Sequence, residues 1–337
     1  MHHYRLIVSV VLLTSFTSTA AAKAPRTAQQ FLVRGNERYA QGDYAGAAAD
    51  YTQAIDLTTR LDGGRSRLLQ NQFNALEPSS SRVIPTDGIR VIEPGAATAY
   101  ADRALARYGL GTLGEALADS EAAIILDSRN PLGYIARGAV LRAIGDLDGA
   151  ISDYSRAIAL QPKSGGSYSL RGIARETKHD HCGALDDFDR ALALSPKLID
   201  VHYNRGVVRL KVGDSDGAIR DFDKFISEDP GVALGYNGRG LAQVVLHRFK
   251  EAMEDFDHAL DLDPRFAQAY LNRGLLWHRL GNETKAHEDF DRVRTLNPGL
   301  EENLEKNLED LHPEGRVGRR EARDSELQTS RDGIPSH

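Results

Sequence analysis

Apolar and polar positions along this chain recur at a fixed step of 34 residues. Alanine marks the step at Ala116, Ala150, Ala184, Ala218, Ala252 and Ala286. Three residues after each alanine stands an aspartate: Asp119, Asp153, Asp187, Asp221, Asp255 and Asp289. An aromatic follows the aspartate in all but the earliest, as Tyr154, Phe188, Phe222, Phe256 and Phe290. An Arg-Gly pair keeps the same register at Arg137-Gly138, Arg171-Gly172, Arg205-Gly206, Arg239-Gly240 and Arg273-Gly274, as does proline at Pro162, Pro196, Pro230, Pro264 and Pro298. Self-similarity at this period predicts an array in which each repeat is one supersecondary unit.

The residue types predict what that unit is. Glycine in Arg-Gly removes a side chain where a first helix approaches a second, and alanine early in the second helix serves the same close contact. Gly145-Asp146, Gly213-Asp214 and Gly281-Asn282 mark a tight turn between the two helices, where a left-handed residue is wanted. Proline ends each unit, because it cannot continue a helix. One such hairpin cannot bury its apolar face alone, so neighbours must stack on it. The recurrent arginine and aspartate are present in every strong repeat, which assigns them to ion pairs between helices of the scaffold.

The period and its residues resemble the tetratricopeptide repeat, whose pattern runs aromatic, three residues, small-Gly, then Ala-x-x-x-Phe and a closing Pro. Tyr100, Tyr134, Tyr168, Tyr236 and Tyr270 hold the first aromatic position, with His202 (followed by Tyr203) the exception. Arginine stands where the family usually has leucine, and the second aromatic of the first helix is replaced, as by Arg175 and Arg209. The resemblance implies an all-α fold: a right-handed superhelical solenoid of about seven helix-turn-helix repeats with a C-terminal capping helix. Six repeats cover 97–300, beginning at Ala97, Pro131, Gly165, Ile199, Ala233 and Ala267. A further repeat over 28–60 carries Arg34-Gly35, Gly42-Asp43-Tyr44, Ala47 and Asp50-Tyr51. Residues 61–96 interrupt the array as an insertion or linker, where a small hairpin about Asp87-Gly88 and disorder both fit the composition. Residues 301–312 read as the capping helix and 313–337 as a charged, flexible tail.

The first 22 residues read differently. His2, His3, Tyr4 and Arg5 precede a mostly apolar run from Leu6 to Phe16, then small residues to Ala22. That is the order of a cleavable signal peptide, and the run falls short of the about 20 residues that span a bilayer. An uncleaved anchor or an apolar first helix is the other reading. The expected location is therefore exported, periplasmic or secreted, with no membrane span after signal removal. The formal net charge of −6 argues against a nucleic-acid partner. The single cysteine, Cys182, excludes an intramolecular disulfide.

The resemblance implies binding rather than catalysis, with the first helix of each hairpin lining a concave groove. Transferred position by position, the groove residues are Ile135, Ala139 and Arg142; Ser169, Ile173 and Glu176; Tyr203, Val207, Leu210 and Lys211; Asn237, Leu241 and Val244; and Leu271, Leu275, His278 and Arg279. One row (Leu105, Ala139, Ile173, Val207, Leu241, Leu275) is uniformly apolar, and the row beside it changes from Arg to Glu to Leu to Val to His. Such a floor and margin suit an extended peptide or partner helix; packing between repeats would demand the same apolar row. Some relatives clamp a terminal carboxylate with lysines, but Leu32, Tyr203 and Leu271 stand in their place.

Catalytic and metal patterns are weaker. Gly213-Asp214-Ser215-Asp216-Gly217 matches a nucleophile elbow by letter, but falls at a helix–helix turn rather than after a strand. His179-Asp180-His181-Cys182 gathers potential metal ligands, too close in sequence to close a tetrahedral site unaided. No cofactor, metal or enzymatic activity is expected. The leading reading is an exported adaptor or assembly factor for a protein or peptide partner. The alternative is an enzyme-associated or metal-responsive subunit using 61–96 or the His179–Cys182 turn, and self-association through the end repeats is a third possibility.

Overall fold

The computed structural model describes residues 27–60 and 94–300. The signal peptide, the interruption up to residue 93, the capping helix and the tail expected from the sequence lie outside the described residues. Among the described residues are fourteen α-helices in consecutive hairpins. The first hairpin is α1 (Ala28–Ala40) and α2 (Tyr44–Arg60), and the second is α3 (Pro94–Gly109) and α4 (Leu113–Leu126). Then follow α5 (Pro131–Ala143) with α6 (Leu147–Leu160), α7 (Gly165–Thr177) with α8 (His181–Leu194), and α9 (Ile199–Lys211) with α10 (Ser215–Glu228). Helices α11 (Ala233–Val245) with α12 (Phe249–Leu262) and α13 (Ala267–Arg279) with α14 (Glu283–Leu296) complete the series. From α5 onward each first helix starts at the residue that the 34-step predicts; α3 instead begins at Pro94, three residues before Ala97.

The chain divides into two compact units, one reaching Asn204 and the other starting at Arg205, inside α9. Within the first, α2 packs against α3, α4 against α5 and α6 against α7, while the first helices α1, α3 and α5 touch in succession. The interruption therefore does not break the stack: Arg103 Nη1 on α3 donates to Thr52 Oγ1 on α2 at 3.1 Å. Within the second unit α10 packs on α11, α12 on α13, and α11 touches α13.

Three recurring contacts hold the hairpins. The first is steric. A Cβ built on Gly35, Gly138, Gly172, Gly240 or Gly274 would lie 2.5–2.7 Å from the ring of Tyr51, Tyr154, Phe188, Phe256 or Phe290, so these rings rest directly on the glycine backbone. The rings are at most 4% exposed, and burying each stabilises by about 2–3 kcal/mol. The second hairpin has no aromatic at this place. It carries Ser120, and the facing glycine has become Ala104; both are fully buried.

The second contact is ionic. Arg34, Arg103, Arg137, Arg171, Arg205, Arg239 and Arg273 each fork onto the aspartate sixteen residues later. In six hairpins the same guanidinium lies over the aromatic three residues before it, at 5.2–5.9 Å from the ring centroid. The exception has His202 there. The ion-pair ladder expected from sequence is thus present, and it explains arginine at a position usually filled by leucine.

The third contact is the cap. Asp43, Asp146, Asp180, Asp214 and Asn282 accept a hydrogen bond from the backbone N–H three residues on, satisfying a donor at the start of the second helix. The residue before them turns the chain through the left-handed region. Gly145 does so at φ 90°, but His179 and His247 hold the same place at φ 65° and 59°.

Candidate peptide groove

Once arginine, aspartate, glycine and aromatic are assigned to the scaffold, each first helix presents three neighbouring rows that the repeat does not dictate. The first row is closed. Leu32, Ala101, Ile135, Ser169, Asn237 and Leu271 are all at most 7% exposed, with Tyr203 partly buried. Inside the second unit Asn272 Nδ2 donates to Asn237 Oδ1 at 2.8 Å, and Asn272 Oδ1 accepts from Gln268 Nε2 at 3.2 Å. Of the sequence-assigned groove residues, Ile135, Ser169, Asn237 and Leu271 are therefore covered by neighbouring protein.

The second row stays partly open. Leu105, Ile173, Val207, Leu241 and Leu275 are half-buried, and only Ala139 is fully covered. Leu105 borders the clusters of both the first and second hairpins, and Leu241 borders that around Phe256 and Leu276. These side chains bury one flank against the stack and leave the other reachable.

The third row is chemically varied and, from the third hairpin onward, half-open. Arg142, Glu176, Leu210, Val244 and His278 are partly buried. Arg142 Nη2 donates to Tyr108 Oη at 3.1 Å, and His278 Nδ1 lies 3.0 Å from Glu283 Oε2. Lys211 and Arg279, one residue further on, are exposed at the margin. Arg279 covers the ring of Phe249 at 5.0 Å, with Nη2 at 3.4 Å from His247 Nδ1.

The sequence reading began this groove at the third hairpin and missed its first two. Tyr108 occupies the register of Arg142, 34 residues earlier, and Tyr39 is its counterpart in α1. On α3, half-buried Asp102 has its carboxyl pushed up to about 7 by desolvation. Tyr39 Oη is buried without a hydrogen-bond partner. Burial, then the charges of Tyr44, Asp102 and Tyr108, raise the Tyr39 phenol. The available signal was a lone carboxylate in the register of Asn204 and Asn272.

The other sequence candidates are placed as well. Gly213–Gly217 forms the turn into α10, with Asp214 capping and Ser215 only 4% exposed. His179 and His181 stand edge to face at 6.0 Å, and Cys182 is exposed. Among the described residues no group of three or more His, Cys, Asp or Glu is placed to hold a metal, and no helix is long and apolar enough to cross a membrane.

Comparison with known proteins places this geometry. A family model described as tetratricopeptide repeat matches residues 135–199, 203–265 and 238–301. Among curated proteins none matches the sequence. The fold is similar to that of a tetratricopeptide repeat protein from Parabacteroides merdae, at 18% identity over 84% of this chain and 97% of that one, with a TM-score of 0.55. It is similar to PilW, a type IV pilus biogenesis factor, at 19% identity over 63% of this chain and 98% of that one, TM-score 0.57. It also resembles Pseudomonas aeruginosa PilF, at 18% identity over 63% and 97%, TM-score 0.55. The 34-residue step, the ring resting on glycine inside each hairpin and the matched segments agree, and the chain belongs to the tetratricopeptide-repeat family.

Proposed function

We propose that this chain is an exported scaffold that holds an extended segment of a protein partner against its first helices, as an adaptor or assembly factor. The observation that carries this reading is the division of labour among residues. The recurring arginine, aspartate, glycine and aromatic are consumed by scaffold contacts, whereas the apolar row around Leu105, Ile173, Leu241 and Leu275 packs against the stack but stays half-exposed. The row beside it offers Arg142, Glu176, Leu210, Val244 and His278, a sequence of different chemistries. An apolar floor supplies affinity to an extended chain, and a varied margin supplies specificity. The net charge of −6 favours a protein over a nucleic-acid ligand. Export rests on the order of residues 1–22.

The test is a display library of 12-residue peptides selected against the chain from residue 23 onward. The reading expects selected peptides to bind this chain and to lose at least tenfold in affinity in Val244→Glu or Leu275→Gln. The exposed second-helix variant Lys224→Glu is expected to bind unchanged. Equal affinity in all variants, or selected peptides that cross-link to second helices, would sink it. Sedimentation at rising concentration distinguishes self-association through the end repeats. A fusion of residues 1–26 to a reporter active only outside the cytoplasm checks export.

A further inference from the structure

We propose that Arg142, held on Tyr108, is the subsite of the groove that takes the side-chain carboxylate of an aspartate or glutamate within the bound segment. This deepens the groove reading and rests on it.

The third hairpin departs from its neighbours in where it places its second arginine. In the first, second and fourth hairpins the scaffold aspartate holds two arginines one helical turn apart: Arg34 and Arg38 on Asp50, Arg103 and Arg107 on Asp119, Arg171 and Arg175 on Asp187. In the third, Asp153 holds Arg137. The register of the second arginine carries Leu141 instead, which packs against the cluster of Ala150, Tyr154 and Ala174. The arginine stands one residue later, as Arg142. One residue is a rotation of about 100° around an α-helix. That rotation takes the side chain off the face that meets Asp153 and into the third row of the groove.

There the guanidinium is held but not neutralised. Arg142 Nη2 donates to Tyr108 Oη at 3.1 Å, and Tyr108 is itself only 8% exposed. A phenol fixes the orientation of the cation without cancelling its charge. Among the described residues no carboxylate pairs with Arg142. Tyr108 belongs to an apolar cluster with Ala116, Ala139 and Val140, so the anchor is set in low-polarity protein. Burial also raises the phenol of fully covered Tyr154, and the nearby charge of Arg142 opposes that push. Arg142 is half-buried. It has given up part of its hydration and gained no anion in return, while donors remain free on a reachable side. An incoming carboxylate can accept from it as Asp153 accepts from Arg137, by charge-assisted and forked hydrogen bonds.

The surroundings decide which carboxylate fits. The half-open apolar row runs past Arg142 on both sides, through Leu105 and Ile173. A bound segment therefore continues beyond the cation and presents a side chain there, not a chain end. Glu176 occupies the same row one hairpin later. Its charge disfavours a second acid at that place, so the preference is for one acidic residue, seated at Arg142.

The test is an NMR titration of the full chain that reads arginine guanidinium signals, with Arg142 assigned through Arg142→Lys. The probes are Nα-acetyl-glutamate methylamide, its glutamine counterpart, and Nα-acetyl-norvaline, whose carboxylate is chain-terminal. The glutamate probe is expected to shift the Arg142 signal saturably and to bind about fivefold or more tightly than either other probe. The signal of Arg137, already committed to Asp153, should stay in place. Tyr108→Phe, which releases the guanidinium, should weaken the glutamate probe about threefold. An Arg142 signal unmoved by the glutamate probe, or moved equally by the glutamine probe, overturns the inference. So do glutamate-induced shifts of the Tyr108 ring that persist in Arg142→Gln, and equal binding of the norvaline probe overturns the assignment to a side chain. Library peptides that bind the groove equally well with every acid changed to its amide overturn it too, while leaving the groove reading intact. A glutamate probe that works when no library peptide binds supports the subsite and defeats the groove reading instead.

Discussion

Arg137 forks onto Asp153, with Nε donating to Oδ2 at 2.7 Å and Nη2 to Oδ1 at 2.8 Å, while its guanidinium lies 5.9 Å from the centre of Tyr134. One arginine thus ties the first helix to the second and rests on a ring one turn back. In the second unit the same residue type also reaches the preceding hairpin: Arg239 Nη1 meets Asp223 at 2.6 Å, and Arg273 Nη1 meets Asp257 at 2.7 Å. The repeat is held by a charged hub where a leucine would give only packing.

Asp153→Asn tests that hub. The Asp153 side chain is 7% exposed and that of Arg137 30%, so the amide leaves a largely buried guanidinium without its counter-charge. A loss of about 2–4 kcal/mol is expected, read from the urea midpoint at unchanged slope. A loss below about 0.5 kcal/mol would mean the fork is ornamental.

Gly172→Ala tests the contact of ring on glycine. The added methyl would stand 2.7 Å from Phe188 Cε1, and the resulting strain of about 1–3 kcal/mol outweighs the helix-forming gain of about 1 kcal/mol. The second hairpin already shows the remedy, with Ala104 against Ser120. Combining Gly172→Ala with Phe188→Ser should therefore cost less than the sum of the single changes, with a coupling of about 1 kcal/mol in a double-mutant cycle. Strict additivity would show that the two positions do not sense each other.

His179→Gly should stabilise. At φ 65° a histidine carries a left-handed penalty that glycine escapes, offset in part by the greater freedom of glycine in the unfolded chain. A net gain of about 0.5 kcal/mol is expected in thermal or urea unfolding. The mirror change, Gly145→Ala, should cost about 1 kcal/mol although nothing lies within 4 Å of the added methyl, because its φ is 90°.

The hairpins were legible because their signals act through the backbone. Glycine, proline and the capping aspartate fix where helices meet and stop, and these recur often enough to average out local exceptions such as His179. The groove was less legible. Ile135 and Leu271 share a register with exposed-looking groove positions, yet neighbouring helices cover both to within 7%; coverage depends on the stack, which no single repeat encodes. Tyr39 and Asp102 escaped for another reason. The interruption after the first hairpin breaks the 34-step, so the packing of α1 and α2 on α3 appears only in the folded chain.

Asp102 predicts an unusual pH dependence of stability. Its carboxyl titrates near 7 in the folded chain against about 3.9 when unfolded. Between these values the folded state binds the extra proton, so raising the pH withdraws stability: the contribution is harmless below about pH 4 and fully unfavourable above 7. Asp102→Asn removes this term and keeps the shape of the side chain. Relative to the parent, the variant should gain about 1–3 kcal/mol on going from pH 4.5 to pH 8. The slope is the readout, because other acids titrate alike in both proteins and any fixed cost of burying the amide cancels. Parallel profiles for parent and variant would mean that Asp102 is solvated like any surface acid.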